Sequence, residues 1–544
     1  MHPKLQLVLT NQCFLFGVLR GIKMRSWSLD WLLQRNNWEE ELAEKSRQRM
    51  LGAHLVHLFR QAISSNILQP GERLPSVRDL MTEIGISRNT AAYVYEQLYA
   101  EGYVVSRVGS GTYVALLTPA MVHRAPLPEP RNADVGSTQV KLSRQAQSIL
   151  DQSPSRTKQW GAFQPGVPDV RAFPRAVYAR IINRLWRHAQ PEMLTYGTAG
   201  GVHALKSALA NYLRVGRGVQ CRPEQILITD GTHQAMDLTI RALTEPKDAV
   251  WTEEPGYWGT LDLLKINPDI SVVRREVDEE GITLSSRAAS PKLIFVTPSH
   301  QYPLGVVMSL DRRKALLEYA RAHHSWIVED DYDSEYRFGG RHVPAIQGLE
   351  KNAPVIYVGT FSKTLFPGLR VAYMVLPEPL VDPFTRLHAQ LYHPGNLVTQ
   401  MALAEFIGGG HYTKHIRKMR VVYGNRRQWL RKLILRHLGP QFLAEKDSYA
   451  GLHINLYLPQ HIDDVEITSQ LQQRGVLTRP LSSYYQNEPK TKGLLLGYAA
   501  VEEHEMQKAF FDMLPTLRAA GVSLSLATSR TDGGGREPGL SVKH

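Results

Sequence analysis

From Trp160 to about Ala520, short apolar runs alternate with helical patterns. Gln225-Ile-Leu-Ile-Thr229, Lys292-Leu-Ile-Phe-Val296, Trp326-Ile-Val-Glu329 and Val355-Ile-Tyr-Val358 are runs of this kind. A strand without a polar face must be covered on both sides, and the intervening helices supply the cover. The pattern predicts an α/β domain built on a mostly parallel sheet. No internal repeat interrupts it.

The remainder of the 544 residues has to be something else, because the length exceeds one ordinary domain. Composition shifts twice. Residues 44–115 are dense in helical periodicity, and 116–158 read as a linker rich in Pro, Ser and charge. The α/β domain is expected over 159–522, and 523–544 read as a small, polar, Gly-rich disordered tail. With 43 % hydrophobic and 21 % charged residues, global disorder is excluded. Cys13 and Cys221 are the only two cysteines, too few for a disulfide framework or a structural zinc site. A net charge of +13 favours acidic partners such as nucleic acid or phosphate without specifying either.

No apolar run reaches the roughly 20 residues that span a bilayer, so a cytoplasmic chain with no membrane partner is expected. Residues 1–43 form an N-terminal extension. Within it, Met1–Leu19 carries two apolar runs broken by Thr10, Asn11 and Gln12, with Lys4 as the only early positive charge and no small-x-small site. A secretory signal is not expected. Two starts stay open, Met1 and Met24, the second making residues 1–23 translated in error or disordered.

The N-terminal module reads in order. His54–Leu68 is amphipathic, with Leu55, Leu58, Phe59 and Ile63 on one face. Ser76 is placed to cap a helix over Val77–Ile84, Gly85 to turn the chain, and Ser87 to cap a second helix to about Ala100. Helix, turn, helix is an arrangement whose second helix can enter a major groove. Glu101–Val114 alternates apolar residues around Gly109 and Gly111, which predicts a β-hairpin wing. The string Leu74-Pro-Ser-Val-Arg-Asp-Leu, Ile86-Ser-Arg-Asn-Thr, Tyr95-Glu-Gln-Leu and Glu101-Gly-Tyr-Val resembles the winged helix of the GntR family of bacterial transcription regulators. The resemblance implies a double-stranded DNA operator as partner. It places Ser76 and Arg78 on phosphate, Ser87, Arg88, Asn89 and Thr90 in the groove, and Gly109 at the minor-groove side of the wing. Relatives often carry Arg where Ala92 stands, so one phosphate contact is expected to be missing. Residues 44–160 hold 14 basic and 9 acidic side chains, a modest excess that favours two modules acting on one DNA.

In the α/β domain the informative stretch is Gly359-Thr-Phe-Ser-Lys-Thr-Leu-Phe-Pro-Gly-Leu-Arg370. Lys363 follows a buried strand, is flanked by the hydroxyls of Ser362 and Thr364, and could form a Schiff base with an aldehyde. Arg370 could meet a phosphate. The pair resembles the pyridoxal-phosphate lysine motif of fold-type I aminotransferases. That resemblance implies pyridoxal 5'-phosphate as cofactor, a fold-type I domain with a smaller C-terminal α+β part, and Ser362 beside the cofactor. It implies Asp330 on the pyridine nitrogen and Tyr332 on the 3-oxygen. Gly231, Thr232 and His233, at a helix start after a strand, match the phosphate cup. Tyr257 stands where relatives stack a ring on the cofactor, and Tyr196 resembles the tyrosine that reaches the partner subunit's cofactor phosphate. The acidic cluster around Asp330 reads as cofactor carboxylate rather than metal site, and no metal is expected. Thr297-Pro-Ser-His-Gln-Tyr-Pro-Leu-Gly305 matches the Asn-Pro-x-Gly loop of free aminotransferases, with Tyr302 in place of Asn and Ser299 or His300 as candidate compensating donors.

Together the modules resemble the MocR subfamily of GntR regulators, over roughly residues 50–520. The resemblance implies a head-to-tail, domain-swapped homodimer. Two departures bear on the ligand. Aminotransferases hold the substrate carboxylate with an Arg near the position of Leu495, and Arg479 is a possible substitute. GABA-responsive relatives carry a second Arg where this chain has Gly259, which disfavours GABA as effector. Lys414–Arg436 holds nine Lys and Arg and no acid, on a helix whose apolar face is Ile416, Met419, Leu430, Leu433 and Ile434. It reads first as a solvated face and second as a DNA-contacting surface. Two functions are expected in turn: a transcription regulator sensing pyridoxal phosphate or an amine that reacts with it, or an aminotransferase carrying a DNA-binding appendage. Full transaminase turnover is doubtful without an evident carboxylate clamp.

Overall fold

Two serines start the two short helices of the N-terminal unit. The computed structural model describes residues 47–116, 142–152 and 160–523, apart from positions 108, 198, 268, 286–288, 340–342, 394 and 447. The first helix, α1 (Arg47–Ser64), buries Leu55, Leu58, Phe59 and Ile63, and it begins earlier than its apolar face suggests. Ser76 caps α2 (Val77–Ile84): its hydroxyl accepts from Asp79 N while the Asp79 carboxylate accepts from Ser76 N. Gly85 ends α2 at φ +70°, a conformation glycine adopts without steric cost. Ser87 caps α3 (Arg88–Ala100). Strands β1 (Val104–Arg107) and β2 (Gly111–Val114) pair antiparallel as the wing. The loop before α2 is tied to α3 by the buried Tyr95 hydroxyl, which donates to Pro75 O at 2.7 Å. These elements close on one apolar cluster that includes Leu58, Leu74, Leu80, Val94 and Leu98.

The chain divides between residues 140 and 141 into two units. Within the stretch expected to be linker, Arg144–Gln152 form a helix that packs on the second unit, so that part is not coil. The helix is amphipathic, a pattern overshadowed in the sequence by the Pro-rich residues before it. The expectations for residues 1–43, 117–141, 153–159 and 524–544, Cys13 included, lie outside the described residues.

The second unit is built on eight strands: β3 (Ile226–Thr229), β4 (Ala249–Glu254), β5 (Ser271–Asp278), β6 (Gly281–Ile282), β7 (Pro291–Val296), β8 (Trp326–Asp331), β9 (Val355–Thr360) and β10 (Ala372–Val375). Their order is β3-β10-β9-β8-β7-β4-β5-β6. Neighbours from β9 through β5 pair parallel, while β10 runs antiparallel to both β3 and β9 and β6 antiparallel to β5. Alternate residues enter different clusters. Val250, Leu293 and Val328 face one core, and Trp251, Ile294 and Ile327 face the other. This is why the runs read as continuously apolar.

Helix α4 (Thr232–Leu243) follows β3, and α5 (Trp258–Lys265) follows β4. The 27-residue α6 (His411–His437) buries Ile416, Met419, Leu430 and Ile434 as expected, with Leu433 packed beside them. Its basic residues are not uniformly solvated: Arg426 is buried, with Asp169 at 2.9 Å and the Ala499 carbonyl at 2.8 Å. A small antiparallel sheet of order β11-β13-β12 completes the unit, from β11 (His453–Leu458), β12 (Arg479–Pro480) and β13 (Lys492–Gly497), with α7 (Asp464–Gln473) packed on it.

Candidate cofactor site and DNA-binding module

Parallel strands deliver their C-terminal ends to one edge of the sheet, the usual place for a ligand in such folds. Thr232 and His233 after β3, Tyr257 after β4, Thr297 after β7, Asp330 on β8 and Lys363 after β9 line one cavity of about 910 Å³. Tyr332, Ser362 and Arg370 line it too. Residues 297 to 370 therefore meet residues 164–167 and 453–486, far apart in sequence.

At the start of α4 the packing leaves no room to spare. Arg370 donates to Asp230 O at 2.7 Å, which sets its guanidinium across the start of α4. A Cβ added at Gly231 would lie 2.6 Å from Arg370 Nη2, and Gly231 has φ +101°. Only glycine lets the helix start and the guanidinium approach this closely. His233 Nε2 and the Tyr257 hydroxyl are 3.0 Å apart. The same pair occupies the space a side chain at Gly259 would need: a Cβ there would meet His233 Nε2 at 2.3 Å. A side chain at 259 would therefore require the His233–Tyr257 pair to move.

At the opposite end, burial sets the chemistry. Loss of hydration lowers the Lys363 ammonium below the ordinary lysine range, opposed by the negative charges of Asp333 and Asp330. Burial, reinforced by Asp331, pushes the Asp330 carboxyl up to about 7, with Lys363 opposing. Asp330 Oδ1 is buried without a hydrogen-bond partner. Strand alternation separates the acidic run that looked like one cluster. Asp330 faces the cavity, whereas Asp331 takes Arg217 at 2.7 Å and the Tyr357 hydroxyl at 2.6 Å.

Asp333, Tyr484 and Glu253 were not anticipated, and residues of the Thr297–Gly305 loop take partners that the sequence did not show. Asp333 also lines the cavity, and its Oδ2 lies 3.2 Å from His300 Nδ1. Tyr332 is held by His300 twice, with its hydroxyl 3.0 Å from Nδ1 and donating to the backbone oxygen at 2.9 Å. The Tyr302 ring lies between Tyr257, Tyr332 and Tyr484, its hydroxyl 2.8 Å from that of Tyr484. Ser299, a candidate donor in place of the absent Asn, instead accepts from Arg217 at 2.7 Å. Below the loop, Glu253 accepts from Thr297 N and Oγ1, and burial pushes this carboxyl up to about 7. The sequence signal available for His300 and Tyr302 was their place in the Thr297–Gly305 loop. None marked Asp333, because its role depends on how the chain turns after β8. Tyr196 lies outside the residues lining the cavity: the residue is 83 % exposed and its ring packs on His393.

In the N-terminal unit, Ser76, Arg78, Ser87, Arg88 and Asn89 are exposed. Thr90 differs, with 7 % exposure and its hydroxyl 2.8 Å from Ser87 Oγ. Gly109 sits at the wing tip with φ +74° and open space around it. Two arginines that sequence reading left aside flank the wing. Arg107 lies over the Tyr113 ring at 4.7 Å, and Arg73 bridges to Tyr113.

Comparison with known proteins agrees with this division. Residues 51–114 match the family "Bacterial regulatory proteins, gntR family", and residues 166–510 match "Aminotransferase class I and II". The chain belongs to the GntR-type transcription regulators with an aminotransferase-like domain, the MocR type. It is 38% identical over 486 residues to the probable rhizopine catabolism regulatory protein MocR of Rhizobium meliloti, covering 89% of this chain and 94% of that one. It is 28% identical to the pyridoxine biosynthesis transcriptional regulator PdxR of Corynebacterium glutamicum, covering 83% and 93%. Among solved structures, an archaeal alanine:glyoxylate aminotransferase superposes with a TM-score of 0.62 at 26% identity, covering 70% of this chain and 96% of that one. Among the described residues, no helix is long and apolar enough to cross a membrane.

Proposed function

We propose that this regulator holds pyridoxal 5'-phosphate at Lys363 and that the cofactor, or an amine reacting with it, sets its affinity for operator DNA. The observation that carries this is the buried, unpartnered Asp330 Oδ1 in a cavity that also holds a partly dehydrated lysine. A carboxyl in that position calls for a nitrogen base, and a pyridine ring supplies one. The Gly231–Arg370 cradle suits a phosphate for the same reason. When bound, the cofactor would supply an electrophilic aldehyde carbon and an electron-withdrawing ring.

The chain's own residues have distinct tasks. Lys363, with a lowered pKa, offers a larger neutral fraction as nucleophile. Asp330 holds a proton at the ring nitrogen. Tyr332, held by His300, is aimed at the 3-oxygen, and Tyr257 flanks the ring. Gly231, Thr232, His233, Ser362 and Arg370 orient the phosphate. Tyr196 reaches the second subunit's phosphate in a head-to-tail dimer. The exposure of Tyr196, Trp186 and Leu194 on one unit supports such an interface. In the winged helix, Ser87, Arg88 and Asn89 face the groove, and Ser76 and Arg78 hold phosphates. Thr90 acts through the Ser87 cap, and Gly109 lets the wing tip approach the minor groove.

Any ligand changes DNA affinity only through differential binding to two states, and the coupling is reciprocal. A coupling of roughly 1–3 kcal/mol corresponds to about a 5- to 150-fold change. The test is operator titration against cofactor-free and cofactor-loaded protein at fixed salt, with and without candidate amines. Equal affinities throughout would overturn the sensor reading. Multiple-turnover transamination between two free amino and keto acids would then put the enzyme reading in its place.

A further inference from the structure

Two carboxyl groups share the cavity with Lys363, and a pyridine nitrogen accounts for only one of them. Asp330 and Asp333 both line it. Asp333 lies two residues beyond β8, is 1 % exposed, and acts on the lysine charge more strongly than Asp330 does. Its Oδ2 is 3.2 Å from His300 Nδ1, while its Oδ1 is buried without a hydrogen-bond partner. The histidine that holds it is itself confined. A Cβ added at Gly451, where φ is +80°, would lie 1.9 Å from His300 Cε1, and one added at Gly305 would lie 3.2 Å from Nε2. The ring has little room to turn, so Asp333 keeps its place.

An unpartnered carboxylate oxygen in a dehydrated cavity is unfavourable and calls for a cation. Arg370 is turned to the start of α4 and Lys265 to Asp262, whereas the Lys363 amine lies within reach of the Asp333 charge. We infer that Asp333, oriented by His300, is the fixed counter-charge of the Lys363 nitrogen and holds a proton there both before and after that nitrogen joins the cofactor. This rests on the reading of Lys363 as the cofactor lysine. One group can serve both states because the charge at the nitrogen is the same in each. The lysine nitrogen begins as an ammonium. Joined to the aldehyde carbon, with the aldehyde oxygen leaving as water, it keeps one hydrogen and the positive charge. A protonated link is the more electrophilic toward an incoming primary amine, so Asp333 keeps the regulator open to exchange with amines.

The neighbouring groups do not replace it. Burial holds the Tyr332 and Tyr336 phenols well above their ordinary range and pushes His453 on β11 down to about 3, so these three are neutral near pH 7. Burial brings Asp330 and Glu253 to about 7, and they titrate in the working range. The test must therefore separate Asp333 from Asp330.

The experiment uses the full-length protein. In the cofactor-free form, acetic anhydride labels the neutral amine, and mass spectrometry reads occupancy at Lys363 across pH. On the acidic side of that profile, labelling should rise about tenfold in Asp333→Asn, the size expected when a nearby opposite charge is lost. The same step should appear when Asp333→Asn is added to Asp330→Asn. In the cofactor-loaded form, the absorbance band should convert from the protonated to the neutral link at lower pH in Asp333→Asn than in the parent chain. Asp333→Glu, which keeps the charge, should stay close to the parent in both measurements. Lys363→Ala provides the control for folding: the cofactor it retains non-covalently should be held equally with and without Asp333→Asn. Unchanged labelling and band in Asp333→Asn, equal changes in Asp333→Glu, or lost retention in the Lys363→Ala background would each overturn the inference and leave the sensor reading intact. Absence of any cofactor adduct at Lys363 in the parent chain would overturn the reading of the cavity, and this inference with it.

Discussion

Arg88 and Asn89 stand exposed at the start of α3, whereas Lys363 and Asp330 face a cavity assembled from residues hundreds of positions apart. The winged helix presents exposed side chains to solvent, and its scaffold, one apolar cluster and two serine caps, only aims them. The cofactor domain changes what its side chains are. Burial makes a less basic lysine and a less acidic aspartate, and a glycine admits an arginine to a helix start. Interactions through water are weak singly and add up. Those inside a low-dielectric cavity are strong and hard to replace. Substitutions in the second unit should therefore act in larger steps.

The sharpest break is Lys363→Ala. Borohydride reduction of the cofactor-loaded protein should fix a covalent adduct in the parent chain and none in the variant. The phosphate cradle should still retain some cofactor non-covalently. An unchanged adduct in the variant would mean that another lysine carries the cofactor.

Asp330→Asn comes next and separates binding from stability. The folded carboxyl, at about 7 against an ordinary 3.8, keeps a proton that the unfolded chain has lost. The stability it contributes is present below about pH 4 and is lost as pH rises toward 7, by at most about 4 kcal/mol. Asparagine has no proton to lose. Calorimetry of the cofactor-free variant should show a smaller decline between pH 4 and 8 and a higher midpoint at pH 8, together with at least about tenfold weaker cofactor binding. An unaltered pH slope would place the raised pKa elsewhere.

For the exposed module the steps shrink. Arg88→Ala should weaken operator binding by roughly 1–3 kcal/mol and lower the ratio of operator to random DNA. Cofactor binding should be unaffected. If both DNAs weaken equally, Arg88 is a phosphate contact.

Ser76→Ala should have the smallest effect, about 1 kcal/mol of stability from the lost cap. Its salt dependence is the sharper readout. A phosphate contact would lower the slope of log affinity against log salt by about one, and a cap alone would leave it unchanged.

Much of the fold was legible because both strand and helix signals are local. Each of the four apolar runs falls on a sheet strand, with Gln225 just ahead of β3, and α2 spans the residues its cap and terminal glycine marked. Thr90 was less legible: its place at the start of α3 suggested a groove contact, but its hydroxyl is taken up by the Ser87 cap. Hydrogen-bond competition of that kind depends on side-chain geometry that sequence order does not carry.

What the sequence alone determined was the two-module plan, the capped helices and the spacing of Asp330, Lys363 and Arg370. Those follow from short-range propensity and from one element succeeding another. What only the tertiary structure decided was which charged groups share a cavity. It separated Asp330 from Asp331, joined Asp333 to His300, and placed Arg479 in the wall of the cavity that holds Lys363. Burial and pairing are properties of the assembled neighbourhood, and a change in ionisation free energy cannot be assigned until every neighbour is in place.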